Sequence, residues 1–354
     1  KDERREVGKL ARLVSASPYE LLVSTRRYFG SFVLWCMNNR IENGIAMGMN
    51  VYSVEWSILA RMLSTFGLDE VNCIFGDYSR YDSSLPPTMM WRVLDMIELY
   101  YCNSSPEDRQ IRKMLFLEVV NSRHTYVPPS ERKTIIYEWV GSNPSGGFLT
   151  TILNSLCNIM LLRYTMYTIV VTKDVAEGRA LYNRLDPKMR SIIAEFDDNV
   201  RLITFGDDNG MCLSAKYKEM ISQGNLTVAM AHVGFKYTNE DKTASTYLHR
   251  KLTDCTFLKR GFKKEKHMIF RAPLEKSSIV EAIRWRKSNS REIEDFYRNV
   301  ENSIMEAAYH GIEWWTEFYN TTSRSMMKEY QYTVLTNTYE LALDKVNNID
   351  SQYL

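Results

Sequence analysis

The chain has 354 residues with 45 Lys and Arg against 43 Asp and Glu, a net charge of +2, and 45% apolar and 25% charged residues. Those are the proportions of a soluble globular protein, and the length allows two or three domains or lobes. The near-neutral total excludes little about partners, but no internal repeat, low-complexity tract or flexible linker is present.

Taken in chain order, the opening KDERREVGKLAR concentrates positive charge, as does FLKRGFKKEKH near residue 260. Such clusters bind phosphates or remain solvated surface charge, and by themselves they do not decide which. The chain begins on Lys1 in place of Met, which reads as a fragment or a product cut from a larger precursor. The stretch VNCIFGDYS (71–79) reads as a strand. After Pro86 and Pro87 a helix follows, with Trp91, Leu94, Ile97 and Tyr101 along one face. Asp77 stands at the strand's end and Asp82 five residues on, a spacing that turn and capping residues also produce.

Polar, proline-containing sequence from about 103 to 144 precedes a long apolar segment, Thr150 to Val171. Asn154, Asn158 and Arg163 interrupt that segment, so it reads as a buried helix rather than a membrane span. Ser145, Gly146 and Gly147 form a loop that lets backbone approach a ligand, and Thr150 and Asn154 project from one face of the helix behind it. A capping Ser with a satisfied buried Asn is the plain alternative; a ribose is the functional one.

In RLITFGDDNGMCLS (201–214) two apolar runs are split by a Gly/Asn/Asp cluster, a hairpin signature that puts Asp207 and Asp208 at the tip. Two carboxylates ~5 Å apart repel by ~3 kcal/mol at an effective dielectric of ~20, so the pair calls for cations. Set beside Asp77, it could hold two Mg²⁺ ions for an in-line phosphoryl displacement. A helix near 215–232 and a short strand pair in TDCTFLKRGF follow, and from about 274 the pattern is wholly helical. Trp285, Trp314 and Trp315 sit at helical spacing that suits core positions. The six cysteines form no C-x-x-C pair, which points to a reducing compartment and no zinc site.

Together, order and content resemble the RNA-dependent RNA polymerases of picorna-like positive-strand RNA viruses. The family's K-D-E-x-R is matched by Lys1, Asp2, Glu3 and Arg5, with Lys9 and Arg12 following; its D-x-x-x-x-D by Asp77 and Asp82; its S-G-x-x-x-T-x-x-x-N by Ser145, Gly146, Thr150 and Asn154. Its G-D-D is matched by Gly206, Asp207 and Asp208 with Phe205 in place of the usual Tyr, its later lysine by Lys242, and its F-L-K-R by Phe257, Leu258, Lys259 and Arg260. The GKLAR segment is one residue longer than the usual G-K-x-R.

The resemblance implies an α+β right-hand fold with an antiparallel palm sheet and a mostly helical thumb: partial fingers over 1–69, palm over 70–265 with a fingers insertion at about 105–144, and thumb over 266–354. The chain is then N-terminally incomplete, since the family sets much of the fingers before the first basic motif. Asp77, Asp207 and Asp208 would hold Mg²⁺, with Mn²⁺ as a substitute. Lys1, Arg5, Lys9 and Arg12 would meet the triphosphate, and Asp82, Ser145, Gly146, Thr150 and Asn154 the nucleotide. Lys242 would donate a proton to pyrophosphate, and Phe257 to Arg260 would hold primer and template RNA. The implied partners are an RNA template and primer, ribonucleoside triphosphates, other viral replication proteins and, as a further candidate, a protein primer. The implied place is the host cytoplasm, at membrane-associated replication complexes. A reverse transcriptase or DNA polymerase of the same palm type, and a non-catalytic RNA-binding relative, are the rivals. Asp82, Ser145 and Asn154 together argue against the first, and three intact acids against the second.

Overall fold

A computed structural model of the chain describes residues 14–127, 133–172, 187–240, 249–284 and 292–349. They form two compact units. One gathers the chain up to Gly48 with Ile74–His249, and the other holds Met49–Cys73 and the chain from Arg250 onward.

The strands of the first unit are β1 (Cys73–Tyr78), β2 (Asn121–Tyr126), β3 (Ile135–Val140), β4 (Val200–Phe205), β5 (Asp208–Leu213) and β6 (Tyr237–Asn239). Four make one sheet in the order β4-β5-β1-β6, and β2 and β3 make a separate hairpin. All six residues of β1 are buried. A near-continuous apolar run is what a central strand covered on both faces requires. The segment expected to be polar and proline-containing folds into a helix, Pro106–Val120, capped by Ser105, and then the β2–β3 hairpin.

The apolar stretch forms the helix Thr150–Thr172, which packs on β4 and on the helix Gln223–His232. Ile152, Leu153, Cys157, Leu161, Leu162 and Met166 are all buried along it. Among the described residues, no helix is long and apolar enough to cross a membrane. The helix expected near 215–232 divides into Ala215–Lys218 and Gln223–His232. Ser222 starts the second piece through a capping box with Asn225.

Two glycines of the sheet serve by the space they leave. A Cβ on Gly76 would stand 2.0 Å from the Tyr237 hydroxyl, and one on Gly210 would stand 2.2 Å from the Phe75 ring. Gly76→Ala and Gly210→Ala are therefore each expected to lower stability by ~1–3 kcal/mol through overpacking. Thermal unfolding checks this, and melting temperatures equal to that of the wild type would contradict the packing described.

In the second unit, Thr256–Phe257 and Arg260–Gly261 pair antiparallel, as the sequence predicts. The helices Lys276–Ala282, Glu292–Ala307, Ile312–Tyr330 and Tyr339–Asn347 enclose a core that includes Phe296, Val300 and Ile304, one helical turn apart. Trp315 belongs to that core and donates its indole N–H to the Ile304 carbonyl at 3.0 Å, while Trp314 stacks on Phe318 at 5.3 Å. Trp285 lies outside the described residues. The helix Val54–Leu63 starts at Ser53, whose side chain accepts from the Glu55 amide, and it stacks Trp56 on Phe262 at 4.9 Å. Cys36, Cys102, Cys157 and Cys255 are free thiols. Cys73 and Cys212 are disulfide-bonded, a departure from the expectation of separate reduced cysteines.

Candidate active site

Asp77 is the fifth residue of β1 and only 9% exposed. On the neighbouring strands, β4 and β5 pair with Phe205 opposite Asp208, which leaves Gly206 and Asp207 as a two-residue turn. Gly206 takes φ +65°, and Asp207 is not among the residues of positive φ. A glycine at the first position of such a turn is the II′ pattern, whose twist suits a hairpin. The acids are thus at the tip as expected, but the turn falls three residues earlier than the Asn209–Gly210 pair suggests. Those two residues belong to β5, where Gly210 makes room for Phe75.

Gly210 lies against Phe75, and the charge of Asp207 is felt at Tyr78. Residue numbers on β5 therefore fall as those on β1 rise. Asp77 at the end of one strand and Asp207–Asp208 at the head of the other share one end of the sheet. Among the described residues, no three His, Cys, Asp or Glu side chains converge into a cage that would hold a metal ion unaided. Magnesium does not need such a cage, because it usually takes one or two carboxylates and completes its shell with water and substrate phosphate.

The second predicted cluster forms through side chains. Arg80, in the left-handed conformation at φ +58°, turns the chain into the short helix Tyr81–Ser84. Tyr81 returns to the core and donates to the Asn154 carbonyl at 3.1 Å. Asp82 then accepts from Asn154 Nδ2 at 2.5 Å through one oxygen and from the Ser145 hydroxyl through the other. Asn143, which the sequence does not single out, donates to Asn154 Oδ1 at 2.8 Å and to the Thr150 carbonyl at 3.1 Å. Thr150 donates back to the Pro144 carbonyl at 2.8 Å, so its hydroxyl braces the loop. Gly146 has φ +112°, and a Cβ there would meet the Ser15 carbonyl at 2.8 Å. The Ser15 amide also donates to the Ser145 carbonyl at 2.8 Å, which ties the segment just after the basic opening to this loop. Lys1, Arg5, Lys9 and Arg12, together with Lys242, lie outside the described residues.

In the second unit, Leu258 and Lys259 form a two-residue turn with φ +55° and +61°, so the lysine sits exposed at a tip. Phe257 is buried. Arg260, expected on the primer backbone, is only 9% exposed and is committed within the protein. Its guanidinium donates to Glu306 at 2.6 Å and 3.2 Å, to the Ala272 carbonyl at 2.7 Å and to the Tyr52 hydroxyl at 3.1 Å. It also lies 4.9 Å from the centroid of the Tyr52 ring. Arg260 thus anchors the turn from inside, and Lys259 is the cation that the turn presents. Burial, and next the Glu306 charge, push the Tyr52 hydroxyl up to about 12, so it remains a protonated donor to Glu306.

The fold is that of the right-hand polymerases. A solved Sicinivirus RNA-dependent RNA polymerase superposes with a TM-score of 0.72 at 19% identity, over 94% of this chain and 62% of that one. The model for the viral RNA-dependent RNA polymerase family matches residues 1–326, and the chain belongs to that family. It is 32% identical over 329 residues to the replicase polyprotein of Drosophila C virus, covering 88% of this chain and 17% of that protein. The replicase polyprotein of Cricket paralysis virus is 31% identical over 326 residues, with the same coverage of 88% and 17%. The RNA1 polyprotein of Red clover mottle virus is 30% identical over 333 residues, covering 92% and 17%. The chain thus spans 17% of the length of each of these three polyproteins.

Proposed function

We propose that this chain carries the catalytic centre of a viral polymerase that adds ribonucleotides to an RNA 3′ end under direction of an RNA template. The observation that carries the reading is that one unit holds both the acids Asp77, Asp207 and Asp208 at a shared sheet end and the hydrogen-bonded set Asp82, Ser145 and Asn154. The first suits phosphoryl transfer, and the second suits recognition of a sugar hydroxyl.

The family works with divalent metal ions. Asp77 and Asp207 would be the principal ligands, with Asp208 assisting, and Mg²⁺ is the ion their hard oxygens suit, Mn²⁺ substituting. Bound there, the ions would lower the pKa of the primer 3′-hydroxyl and offset charge on the departing pyrophosphate. Lys1, Arg5 and Arg12 would neutralise the triphosphate, Lys9 would line the same channel, and Lys242 would hand a proton to the pyrophosphate. Asp82 and Asn154 would exchange part of their mutual hydrogen bonding for the ribose 2′-hydroxyl, on a loop braced by Ser145, Gly146 and Thr150. Lys259 would meet the primer backbone without sequence preference. The partners on this reading are template and primer RNA, ribonucleoside triphosphates and other replication proteins. The place is the host cytoplasm, at membrane-associated replication complexes.

Asp82→Ala and Asn154→Ala test the sugar assignment. A site built to hydrogen-bond a hydroxyl loses selectivity once that partner is removed. Both variants are expected to cut the preference for ATP over dATP by ~10-fold or more, the scale of one lost hydrogen bond in a site, while template binding changes little. Competition between the two nucleotides on one primed template measures it. An unchanged preference in both variants would reject the role.

A further inference from the structure

The tip of a surface hairpin ordinarily leaves its peptide groups to water. Here they are gripped from inside the protein. The Gly206 amide donates to Ser155 Oγ at 2.8 Å, and Ser155 donates in turn to the Thr151 carbonyl at 2.8 Å. Asn158, one helical turn beyond Asn154 and fully buried, donates through Nδ2 to the Gly206 carbonyl at 3.0 Å and to the Asp207 carbonyl at 2.9 Å. Its Oδ1 accepts from the Tyr78 hydroxyl at 3.0 Å. Asn209 Nδ2 also donates to the Asp207 carbonyl, at 3.0 Å, and Asn209 Oδ1 accepts from the Tyr237 hydroxyl at 2.8 Å.

The chemistry fixes which way each amide points. A carbonyl oxygen can only accept, so the NH₂ group of Asn158 must face Gly206 and Asp207, and its oxygen must face a donor. Tyr78 is that donor, its hydroxyl lying 3.0 Å from Asn158 Oδ1. Both N–H groups of the Asn158 amide are then used, and its oxygen accepts from Tyr78. Tyr237 reaches Asn209 over Gly76, where any larger side chain would block its hydroxyl.

Tyr78 is the residue next to Asp77, and the Asp207 carbonyl belongs to the turn that carries the second acid. One buried side chain therefore links the main chain of the Asp207 turn to the side chain of the residue next to Asp77. We propose that Asn158 is a positioning residue: it locks the Asp207 turn to the Asp77 strand and so sets the relative placement of the two carboxylates for a divalent cation. The inference rests on the reading of Asp207 as a metal ligand. A ligand set works only when its supporting shell holds it to ~0.5 Å, and removing such support typically costs ~10–100-fold in metal affinity or activity.

The test is Mn²⁺ binding to the chain, followed by loss of the electron paramagnetic resonance signal of the free ion, together with single-nucleotide addition to primed RNA. The variants are Asn158→Ala, Tyr78→Phe and Asp207→Ala. Asn158→Ala should weaken Mn²⁺ binding by ~10-fold or more and lower kcat by ~10–100-fold, with the KM for ribonucleotide within about twofold. Tyr78→Phe, which removes one oxygen and keeps the ring packed, should shift both in the same direction by less. Asp207→Ala should abolish tight Mn²⁺ binding. If Asp207→Ala loses Mn²⁺ but Asn158→Ala and Tyr78→Phe bind it as the wild type does, the positioning role is overturned and the metal reading stands. The positioning role is likewise overturned if the two variants only lose melting temperature and active fraction, with unchanged affinity in the folded protein. If Asp207→Ala binds Mn²⁺ normally, the metal reading falls and the positioning role falls with it.

Discussion

Asp207→Ala is expected to abolish nucleotide addition while leaving the fold and RNA binding intact. The structure explains why the two effects separate. The turn is held through main-chain groups, with Asn158 and Asn209 both donating to the Asp207 carbonyl and not to its carboxylate. Gly206, not Asp207, bears the left-handed conformation. Removing the carboxylate takes away the proposed cation ligand and leaves the main-chain bonds from Asn158 and Asn209 in place. The loss should exceed ~10³-fold, more than the removal of a single hydrogen-bond donor from an electrostatic site. Asp208→Ala should cost less and be partly restored by Mn²⁺. Extension of a primed RNA by one nucleotide measures both, and near-normal incorporation by Asp207→Ala would refute the assignment.

Glu306→Ala carries the largest expected effect on stability. Arg260 is 9% exposed and Glu306 6%, and the pair meets at 2.6 Å with Tyr52 donating to the same carboxylate. Deleting the glutamate strands a guanidinium in a low-dielectric site, a change that costs ~3–5 kcal/mol when a buried pair is broken from one side. The Tyr52 hydroxyl loses its acceptor at the same time. Urea unfolding should show the midpoint falling accordingly, and a loss below ~1 kcal/mol would mean that Arg260 is not held as described. Because Arg260 anchors the turn carrying Lys259, the variant should also weaken binding of primed RNA.

The chemistry-bearing cluster was legible in the sequence because its parts are local or regular. Thr150 and Asn154 share a helix face by spacing alone, and a Gly-Asp-Asp between apolar runs marks a hairpin whatever surrounds it. Asp82, Ser145 and Asn154 meet through hydrogen bonds. What was not legible depended on residues far apart in the chain. Arg260 sits in a short basic run that reads as exposed. Its burial is decided by Glu306 and Tyr52, separated from it by 46 and 208 positions. Asn158 looked like one polar residue in an apolar helix, since the carbonyls it holds come from a turn 48 and 49 positions later.

Gly210 shows the same limit from another side. Turn chemistry accounts for a glycine after Asp-Asp-Asn, yet this one is required by the Phe75 ring on the adjacent strand. The split in the 215–232 helix has a local cause that the pattern obscured. The capping box at Ser222 uses Asn225 where Glu or Gln usually marks the motif.

The most direct measurement is extension of a primed RNA template by the polymerase carrying this chain, with the four ribonucleotides and Mg²⁺ or Mn²⁺. Templated addition that needs the cation, stops when a chelator removes it and favours ribonucleotides over deoxyribonucleotides is the predicted result. RNA binding without incorporation under either cation would contradict it, leaving Asp77, Asp207 and Asp208 without the role assigned to them.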